Sequence, residues 1–370
     1  MLTIREIDNL NELLQIRSAW NALLAQTPGA TFFQSYDWLA AFWTHCAGGQ
    51  TLRVLVTEDR GLVRGIVPLV VRRERRRLGT LRVLGYPLDN WGTLYGPISS
   101  DPQATLTAAL EYVALRPRDW DLLELRWVDT DNDDDRRTAS AFAAAGLTAA
   151  EEPWQCRAIV ALDQFSGWND YWLSRSGRWR SNVRRAEKKL AAGGRVEHVR
   201  YRPAGLLAGR CDPEWELYGA CEQIARASWQ AHSTNGTTLS HEAIRPFLAD
   251  CHCRAAASGT LDMNLLLVGG RPVAFNYAYH YQGRVTGLRT GYDRTLTCDG
   301  AGSVLQARMI EDSFARGDTS YDLGADYLNA KRYWLTETRD TVRFTHFPPR
   351  AARAQLVRWK RGVERWLARA

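Results

Sequence analysis

The chain has 370 residues, of which 45% are hydrophobic and 24% are charged. These proportions are those of an ordinary globular protein, and they exclude collagen-like, mucin-like and intrinsically disordered chains. Lys and Arg number 48 against 41 Asp and Glu, which gives a moderately basic formal net charge of +7. At roughly 150 residues per domain, the length predicts two domains, each large enough to bury a hydrophobic core.

The beginning of the chain and its cysteines predict the compartment. Arg5, Glu6 and Asp8 occupy the first residues, where a signal peptide would have its apolar core. No run of about 18 uncharged apolar residues occurs, so we expect no spanning helix. The cysteines are odd in number and scattered, which is typical of reduced thiols and does not match a metal-site spacing. We therefore expect a cytoplasmic protein without a bound metal.

Hydrophobic periodicity in the first half predicts alternating strands and helices. A helix is expected to begin near Ser35, because aromatic and apolar residues follow it at helical spacing. Two β-type runs flank the charged, glycine-containing segment 58–61, which predicts a hairpin. The expected strands are 3–7, 52–57, 62–72, 81–84 and 122–128, and the expected helices are 13–23, 35–43 and 104–114.

A similar order of elements recurs after about residue 155. The expected strands are 158–162, 263–268, 273–281, 285–290 and 320–323, and the expected helices are 170–192, 215–229, 242–257 and 304–316. The recurrence predicts two copies of one mixed α/β unit. We place the first copy at 1–152, the second at 153–350 and a separate C-terminal helix at 351–370.

That C-terminal segment has the pattern of a basic amphipathic helix. Leu356, Trp359, Val363, Trp366 and Leu367 fall on one helical stripe, and most of the basic residues lie off it. Docking onto the protein's own domain is the favoured interpretation. Peripheral contact with a membrane surface, or with an anionic partner, is the alternative.

A polar loop with two glycines precedes the helix at 304–316. Gly300 and Gly302 form a Gly-x-Gly element at the helix start, where backbone N–H groups are free and a phosphate can approach closely. The spacing is neither that of a dinucleotide fingerprint nor that of a Walker loop.

Groups suited to proton transfer follow the strand at 320–323. Asp322 ends the β-type run just before Gly324, and Tyr327 and Lys331 are four residues apart, so they share a face if the segment is helical. A carboxylate beside a phenol and an ammonium can supply proton transfer and charge stabilisation in acyl transfer. Alternatively, Asp322 caps a turn and Lys331 is merely exposed.

The segment 175–189 carries seven basic residues around an apolar, core-facing stripe. Arg178 and Arg184 therefore face solvent, where they can neutralise phosphates of a tRNA, a nucleotide-sugar or an acyl donor. A simply solvated helix face is the alternative interpretation.

In combination these motifs resemble the acyl-CoA N-acyltransferase (GNAT) superfamily. Within it, the chain looks like the BioF2-like or CelD-like acetyltransferases linked to cellulose and exopolysaccharide biosynthesis. The resemblance spans about residues 3–347 and is carried by segments 32–39, 302–305 and 321–324, with Lys331 behind the last. The doubled unit is also similar to the Fem-type aminoacyltransferases, which place two such folds in tandem. The resemblance implies a mixed α/β fold with two tandem GNAT-like units.

The resemblance also implies where an acyl donor binds. Acetyl-CoA, or another acyl-CoA, would lie between the strands at 285–290 and 320–323, with its diphosphate on the loop 299–303. The implied donor contacts are Gly300, Ala301, Gly302, Ser303 and Arg289. The first unit has no Gly-x-Gly before its helix, so it is expected to be a non-catalytic wall of the acceptor pocket.

The implied reaction is direct attack of an acceptor amine or hydroxyl on the thioester. Asp322 or a water would act as base, Tyr327 as acid, and Lys331 would stabilise charge or hold an anionic group of the acceptor. The expected acceptor is a small-molecule sugar or a nucleotide- or lipid-linked precursor of an envelope polysaccharide. Residues assigned to acceptor binding are Asn276, Arg178, Arg184 and Trp38.

Two other functions stay open from the sequence. The tandem units and the Arg-rich helix also fit a Fem-like aminoacyltransferase that uses aminoacyl-tRNA. A non-catalytic anion-binding protein with two degenerate clefts is the alternative from another class.

Overall fold

The computed structural model describes residues 3–76, 79–87, 91–130, 136–229, 238–293, 295, 300–325 and 327–367. The chain forms two compact units, one of Met1–Gln155 with Asp340–Ala370 and one of Cys156–Arg339. Compactness does not measure independent folding, so the domain boundaries at 152 and 350 stay a prediction.

In the described residues, the part of the first unit before residue 149 contains five α-helices and six strands. Its helices are α1 (Leu10–Gln15), α2 (Arg17–Gln26), α3 (Tyr36–Cys46), α4 (Pro102–Leu115) and α5 (Arg137–Ala144). Its strands are β1 (Thr3–Ile7), β2 (Thr51–Asp59), β3 (Leu62–Arg76), β4 (Gly79–Gly85), β5 (Ile98–Ser99) and β6 (Leu122–Asp129).

The chain then passes through β7 (Ala149–Ala161) into the second unit. There the helices are α6 (Trp168–Ser174), α7 (Gly177–Ala191), α8 (Trp215–Ala227), α9 (Arg245–Ser258), α10 (Ala301–Arg316) and α11 (Leu328–Lys331). The strands are β8 (Val196–Tyr201), β9 (Leu261–Val268), β10 (Arg271–Tyr281), β11 (Arg284–Tyr292) and β12 (Ser320–Asp322). Last come β13 (Glu337–His346), which leads back into the first unit, and α12 (Ala352–Leu367).

In the first unit the strands follow the order β1-β2-β3-β4-β6-β13, and β5 pairs with β3. The predicted hairpin of β2 and β3 is confirmed, and its turn places Arg60 and Gly61 in the left-handed region that tight hairpin turns require. The predicted helix start at Ser35 is also confirmed, because the Ser35 hydroxyl accepts the Trp38 N–H at 3.1 Å and caps α3.

In the second unit the strand order is β7-β12-β11-β10-β9-β8. Helices α6, α7 and α10 pack on one face of this sheet, in a core that includes Ala278 and Val285. Tyr277 precedes Ala278, and its ring contacts Tyr218 of α8 and His252 of α9. Because neighbouring strand residues point to opposite faces, α8 and α9 cover the other face.

Several elements differ from the sequence prediction. The helix expected at 13–23 is divided into α1 and α2, and α5 and β5 were not predicted. The single helix expected at 170–192 is two helices, since Arg175 is extended and the Ser176 hydroxyl caps α7 by accepting the Trp179 N–H. Strands β8 and β13 were not predicted, because charged side chains interrupt their apolar pattern.

Buried ion pairs explain how such a charged strand is accommodated. Arg200 of β8 and Arg202, which directly follows this strand, each donate to the buried carboxylate of Asp262 on β9, at 2.6 Å in both cases. Arg202 also donates to Asp318 at 2.8 Å. Burial alone would raise the pKa of Asp318, but these arginines outweigh it and hold the pKa well below its usual range. The four side chains therefore stay charged inside the fold.

A second buried network joins α12 to the first unit. Glu124 of β6 is fully buried, and its carboxylate accepts from Arg126 and from Arg361 of α12. Burial opposes ionisation, yet the two arginines lower the pKa of Glu124 far below its ordinary value. The resulting stabilisation is present at neutral pH and is lost as the pH falls below the ordinary glutamate pKa.

The Glu124 network predicts that α12 is fixed mainly by one arginine. Arg361→Met leaves Glu124 with less positive charge at a buried position and should lower the free energy of unfolding by about 3 kcal/mol. Arg365→Met is the matched control, because Arg365 is half exposed and should cost less than about 1 kcal/mol. Urea unfolding measures both changes, and equal losses would contradict this role of Arg361.

Candidate functional site

The candidate site of the second unit begins where two neighbouring strands stop pairing. Parallel strands β11 and β12 pair over only three positions, ending at Thr286 and Asp322. Beyond them β11 continues to Tyr292, whereas the chain after β12 continues its antiparallel contact with β7, where the Leu323 N–H donates to the Ala158 carbonyl at 2.9 Å. The two strand ends therefore separate, which leaves a cleft beside the second half of β11.

Asp322 holds this strand end in place. One of its carboxylate oxygens accepts the Gly324 N–H at 2.7 Å, and the other accepts from Arg157 of β7 at 2.7 Å. Both charged side chains are buried. Because both oxygens have partners within the fold, this geometry is that of a positioning residue rather than of a free base.

Lys331 and Tyr327 lie on the segment that follows. The Lys331 ammonium donates to the Gly324 carbonyl at 3.0 Å, so it lies two residues from the Asp322 strand end. Tyr327 precedes the one-turn helix α11, has a positive φ of 58°, and is 65% exposed. The two residues therefore do not share a helical face, which the four-residue spacing had predicted for a helical segment.

An aromatic pair lies beside the end of β11. Ser228, just after α8, packs so closely on Gly291 of β11 that a Cβ at Gly291 would lie 3.4 Å from the Ser228 Cβ. The next residue, Trp229, has its ring 5.1 Å from the Tyr327 ring in an edge-on arrangement. Both rings are partly exposed, so they offer aromatic surface at the mouth of the cleft.

Asn276 lies across β11 from Tyr321. Its side-chain oxygen accepts the Tyr321 hydroxyl at 2.9 Å, over Gly287, where a Cβ would lie 3.0 Å from the Asp322 carbonyl oxygen. Burial raises the pKa of Tyr321 far above its ordinary value, so the phenol stays protonated. Asn276 and Tyr321 are therefore buried and hydrogen-bonded to each other at the base of the cleft.

The start of α10 lies at the same end of β11. Gly300 begins the helix with a φ of 112°, and a Cβ there would lie 2.5 Å from the Ala186 Cβ of α7. Gly302 faces the Tyr292 ring, and Ala301 is buried while Ser303 is half-buried. The Ser303 N–H donates to the Gly300 carbonyl at 3.0 Å. The N–H groups of Ala301 and Gly302 come before it, at the helix end whose first N–H groups suit an anion. Asp299, also part of the predicted loop, lies outside the described residues.

The remaining predicted site residues fall into three groups. Arg289 is on β11 beyond the paired part, and its guanidinium donates to the Leu288 carbonyl at 2.6 Å. Arg178 and Arg184 are exposed on α7, the helix that carries Ala186 against the start of α10. Trp38 is not among the cleft residues: it is in α3 of the first unit, 1% exposed, and packs on Phe33.

Several residues of the cleft carried no signal in the sequence. Arg157 is 165 positions from Asp322, and nothing at its own position indicates an ion pair. Trp229 and Gly287 likewise gain their significance only from what lies opposite them. Tyr321 was visible beside Asp322 but had no distinguishing pattern.

Residues 177–333 match the family model described as an acetyltransferase (GNAT) domain. Most of the second unit is therefore similar to a GNAT domain. The candidate site lies at the separated ends of β11 and β12, and α10 connects these two strands in the chain. No curated protein matches the chain significantly.

Solved structures align with this chain over nearly its whole length. A crystal structure of FemX aligns over 93% of this chain and 97% of its own, at 12% identity and a TM-score of 0.61. L-PGS from Bacillus licheniformis aligns over 94% and 96%, at 12% identity and a TM-score of 0.55. A tandem GNAT protein from the clavulanic acid biosynthesis pathway aligns over 93% and 98%, at 13% identity and a TM-score of 0.50.

These similarities establish the fold. The prediction of a mixed α/β GNAT fold in two tandem units, with Fem-type similarity, is confirmed. The narrower resemblance to BioF2-like or CelD-like acetyltransferases stays a prediction. Among the described residues, no three His, Cys, Asp or Glu side chains are placed to hold a metal ion. The described residues also contain no helix that is long and apolar enough to cross a bilayer.

The positioning role of Asp322 predicts a loss of stability when its charge is removed. Asp322→Asn deprives the buried Arg157 of its counter-charge and should lower the free energy of unfolding by about 3 kcal/mol. Replacing both partners by apolar residues, Arg157→Met with Asp322→Leu, should recover part of that loss. Thermal unfolding provides the measurement. An Asp322→Asn protein of wild-type stability that no longer turns over would assign the carboxylate to proton transfer instead.

Proposed function

We propose that the second unit transfers an acetyl or other acyl group from acyl-CoA to an amine or hydroxyl of a sugar or envelope-polysaccharide precursor. The observation that carries this proposal is the cleft between β11 and β12, with the glycine-bearing start of α10 at its end. We place this reaction in the cytoplasm, where the odd, scattered cysteines would stay reduced.

The donor is proposed to lie along the second half of β11. A thioester carried by a long, thin chain suits a cleft between two strands, and the unpaired edge of β11 offers backbone groups to its amides. The diphosphate would lie on the N–H groups of Ala301 and Gly302 and beside the Ser303 hydroxyl, with Gly300 setting the turn. Arg289 would add a positive charge beside the donor.

The chemistry follows from where the thioester would lie. The acceptor's nitrogen or oxygen attacks the carbonyl carbon, and the tetrahedral intermediate then expels the thiolate of coenzyme A. Because both oxygens of Asp322 are engaged, we assign the proton of the nucleophile to a water and keep Asp322 as the residue that holds the strand end. Tyr327 would return a proton to the thiolate, and Lys331 would stabilise the developing negative charge.

The acceptor is proposed to bind at the aromatic mouth of the cleft. Trp229 and Tyr327 present flat apolar rings on which a sugar can stack, and Asn276 would help to orient it from the cleft floor. Arg178 and Arg184 of α7 would bind phosphates if the sugar is nucleotide- or lipid-linked. Trp38 is left out of this proposal, because its ring is buried in the first unit.

A Fem-like aminoacyltransferase is the second candidate. The alignment with FemX over nearly the full length of both chains favours it, and so does the exposed basic face of α7. The donor would then be an aminoacyl-tRNA, whose many phosphates give binding a steep dependence on salt. A non-catalytic anion-binding protein is the third reading, and it predicts binding without turnover.

Calorimetric titration separates the donors. We expect coenzyme A and acetyl-CoA to bind with an affinity that changes little between low and moderate salt, and bulk tRNA to bind weakly or not at all. Gly302→Ala adds a methyl that would contact the Tyr292 ring beside the proposed diphosphate site. It should weaken coenzyme binding at least about tenfold without loss of stability, since Ala favours a helix. Gly219→Ala on α8, where the new methyl meets nothing, is the control. Steeply salt-dependent tRNA binding without coenzyme binding would replace this donor by the Fem-type one.

Lys331 gives a second prediction about turnover. Lys331→Ala removes the ammonium that would stabilise charge and should lower kcat by about 100-fold, with normal folding. Lys189→Ala, on the exposed face of α7, should leave kcat unchanged. The assay is acetyl transfer from acetyl-CoA to amino sugars, and its rate is measured from the coenzyme A thiol that the reaction releases. Unchanged turnover in a well-folded Lys331→Ala protein would reject this role.

A further inference from the structure

Helix α12 is attached to the first unit by the face that the sequence pattern did not select. Ala354 and Val357 pack in an apolar cluster with Leu81, Leu122 and Phe347. One turn further on, the buried Arg361 donates to Glu124, to Glu152 and to the Thr345 hydroxyl. The helix is thus docked on its own unit, as the favoured interpretation expected. Its contacts, however, are made by Ala354, Val357 and Arg361 and not by the residues of the apolar stripe.

The apolar stripe of α12 points away from that attachment. At 100° per residue, Trp359, Val363 and Trp366 lie on the side of the helix opposite Val357 and Arg361. Trp359 is 70% exposed and Trp366 is 68% exposed, and Leu356 and Leu367 are also exposed. Two tryptophans two turns apart are therefore held about 10 Å from each other on an outward face.

Positive charge borders this outward face. Lys360 lies on one side of the stripe and Arg358 on the other, and Arg350 and Arg353 precede them in the chain. From residue 350 to residue 367 the sequence has six basic side chains and a single carboxylate, Glu364. An apolar, Trp-containing stripe between cationic borders has the composition of an interfacial helix.

We propose that the outward face of α12 binds the surface of an anionic lipid bilayer. The helix would lie in the plane of the interface, with Trp359 and Trp366 between the headgroups and the first acyl carbons. The cationic borders would face the lipid phosphates. The buried Arg361 fixes the helix rotation, so the tryptophans point outward before any lipid is met.

A lipid surface fits these features better than a protein partner does. The core of a protein interface is depleted of charge and complementary in shape, whereas this stripe is narrow, convex and bordered by cations along its length. Tryptophan is the side chain typical of the membrane interface, because its ring is apolar and its N–H is polar. The inference does not depend on the acyl donor, so it stands or fails separately from the proposed function.

Vesicle sedimentation with the full-length protein tests the proposal. We expect binding to vesicles of three parts phosphatidylcholine to one part phosphatidylglycerol, much weaker binding to phosphatidylcholine alone, and weakening by added salt. The double variant Trp359→Ser with Trp366→Ser should lose at least about tenfold in affinity for the mixed vesicles. Its thermal unfolding should stay that of the wild type, because both side chains are exposed.

A matched control removes exposed apolar surface elsewhere on the same unit. Leu62→Ser with Leu115→Ser changes two exposed leucines on β3 and α4 and should bind vesicles as the wild type does. The proposal is overturned if the wild type binds neither vesicle, or if the tryptophan variant binds as tightly as the wild type. It is equally overturned if size-exclusion chromatography shows that the tryptophans hold two copies of the chain together, since the face would then bind protein.

Discussion

The site of the second unit depends on the ion pair between Arg157 and Asp322. A buried aspartate that is bound to an arginine on β7, and to the N–H of Gly324, holds the chain at the position where its three-residue pairing with β11 ends. Parallel strands that continued side by side would close the sheet and leave no room for a ligand. The charge pair thus stabilises the separation that gives this fold its cleft, at the energetic cost of burying two ions.

Around that separation, glycines let backbone and helices approach more closely than side chains would permit. Gly287 lies against the Asp322 carbonyl, Gly291 against Ser228, and Gly300 against Ala186 of α7. These contacts bring the end of β11, the aromatic pair and the start of α10 to one end of the sheet. The proposed donor cleft and the proposed anion-binding turn therefore both follow from one packing arrangement.

Buried charge also governs the first unit. The Glu124 carboxylate accepts from Arg126 of its own strand and from Arg361 of α12. A helix with an amphipathic sequence is therefore attached in part through a charged side chain. The desolvation cost is met because each carboxylate has more than one cationic partner. As a result, the apolar stripe with Trp359 is displayed rather than buried, and the same helix carries an attachment and a separate exposed surface.

Period-2 and period-3.6 patterns alone predicted most strands and helices, the β2–β3 hairpin, and two copies of one mixed α/β unit, because local burial imposes those periods. The glycine-bearing start of α10 and the strand end at Asp322 were also visible, since turns need particular residues. Tertiary structure decided the rest: the break before α7, strands β8 and β13, and the partners of Asp322. It also decided that Trp38 is buried and that Trp359 is not. Each of these depends on which distant charge or ring lies opposite a residue, and a local pattern contains no information about that.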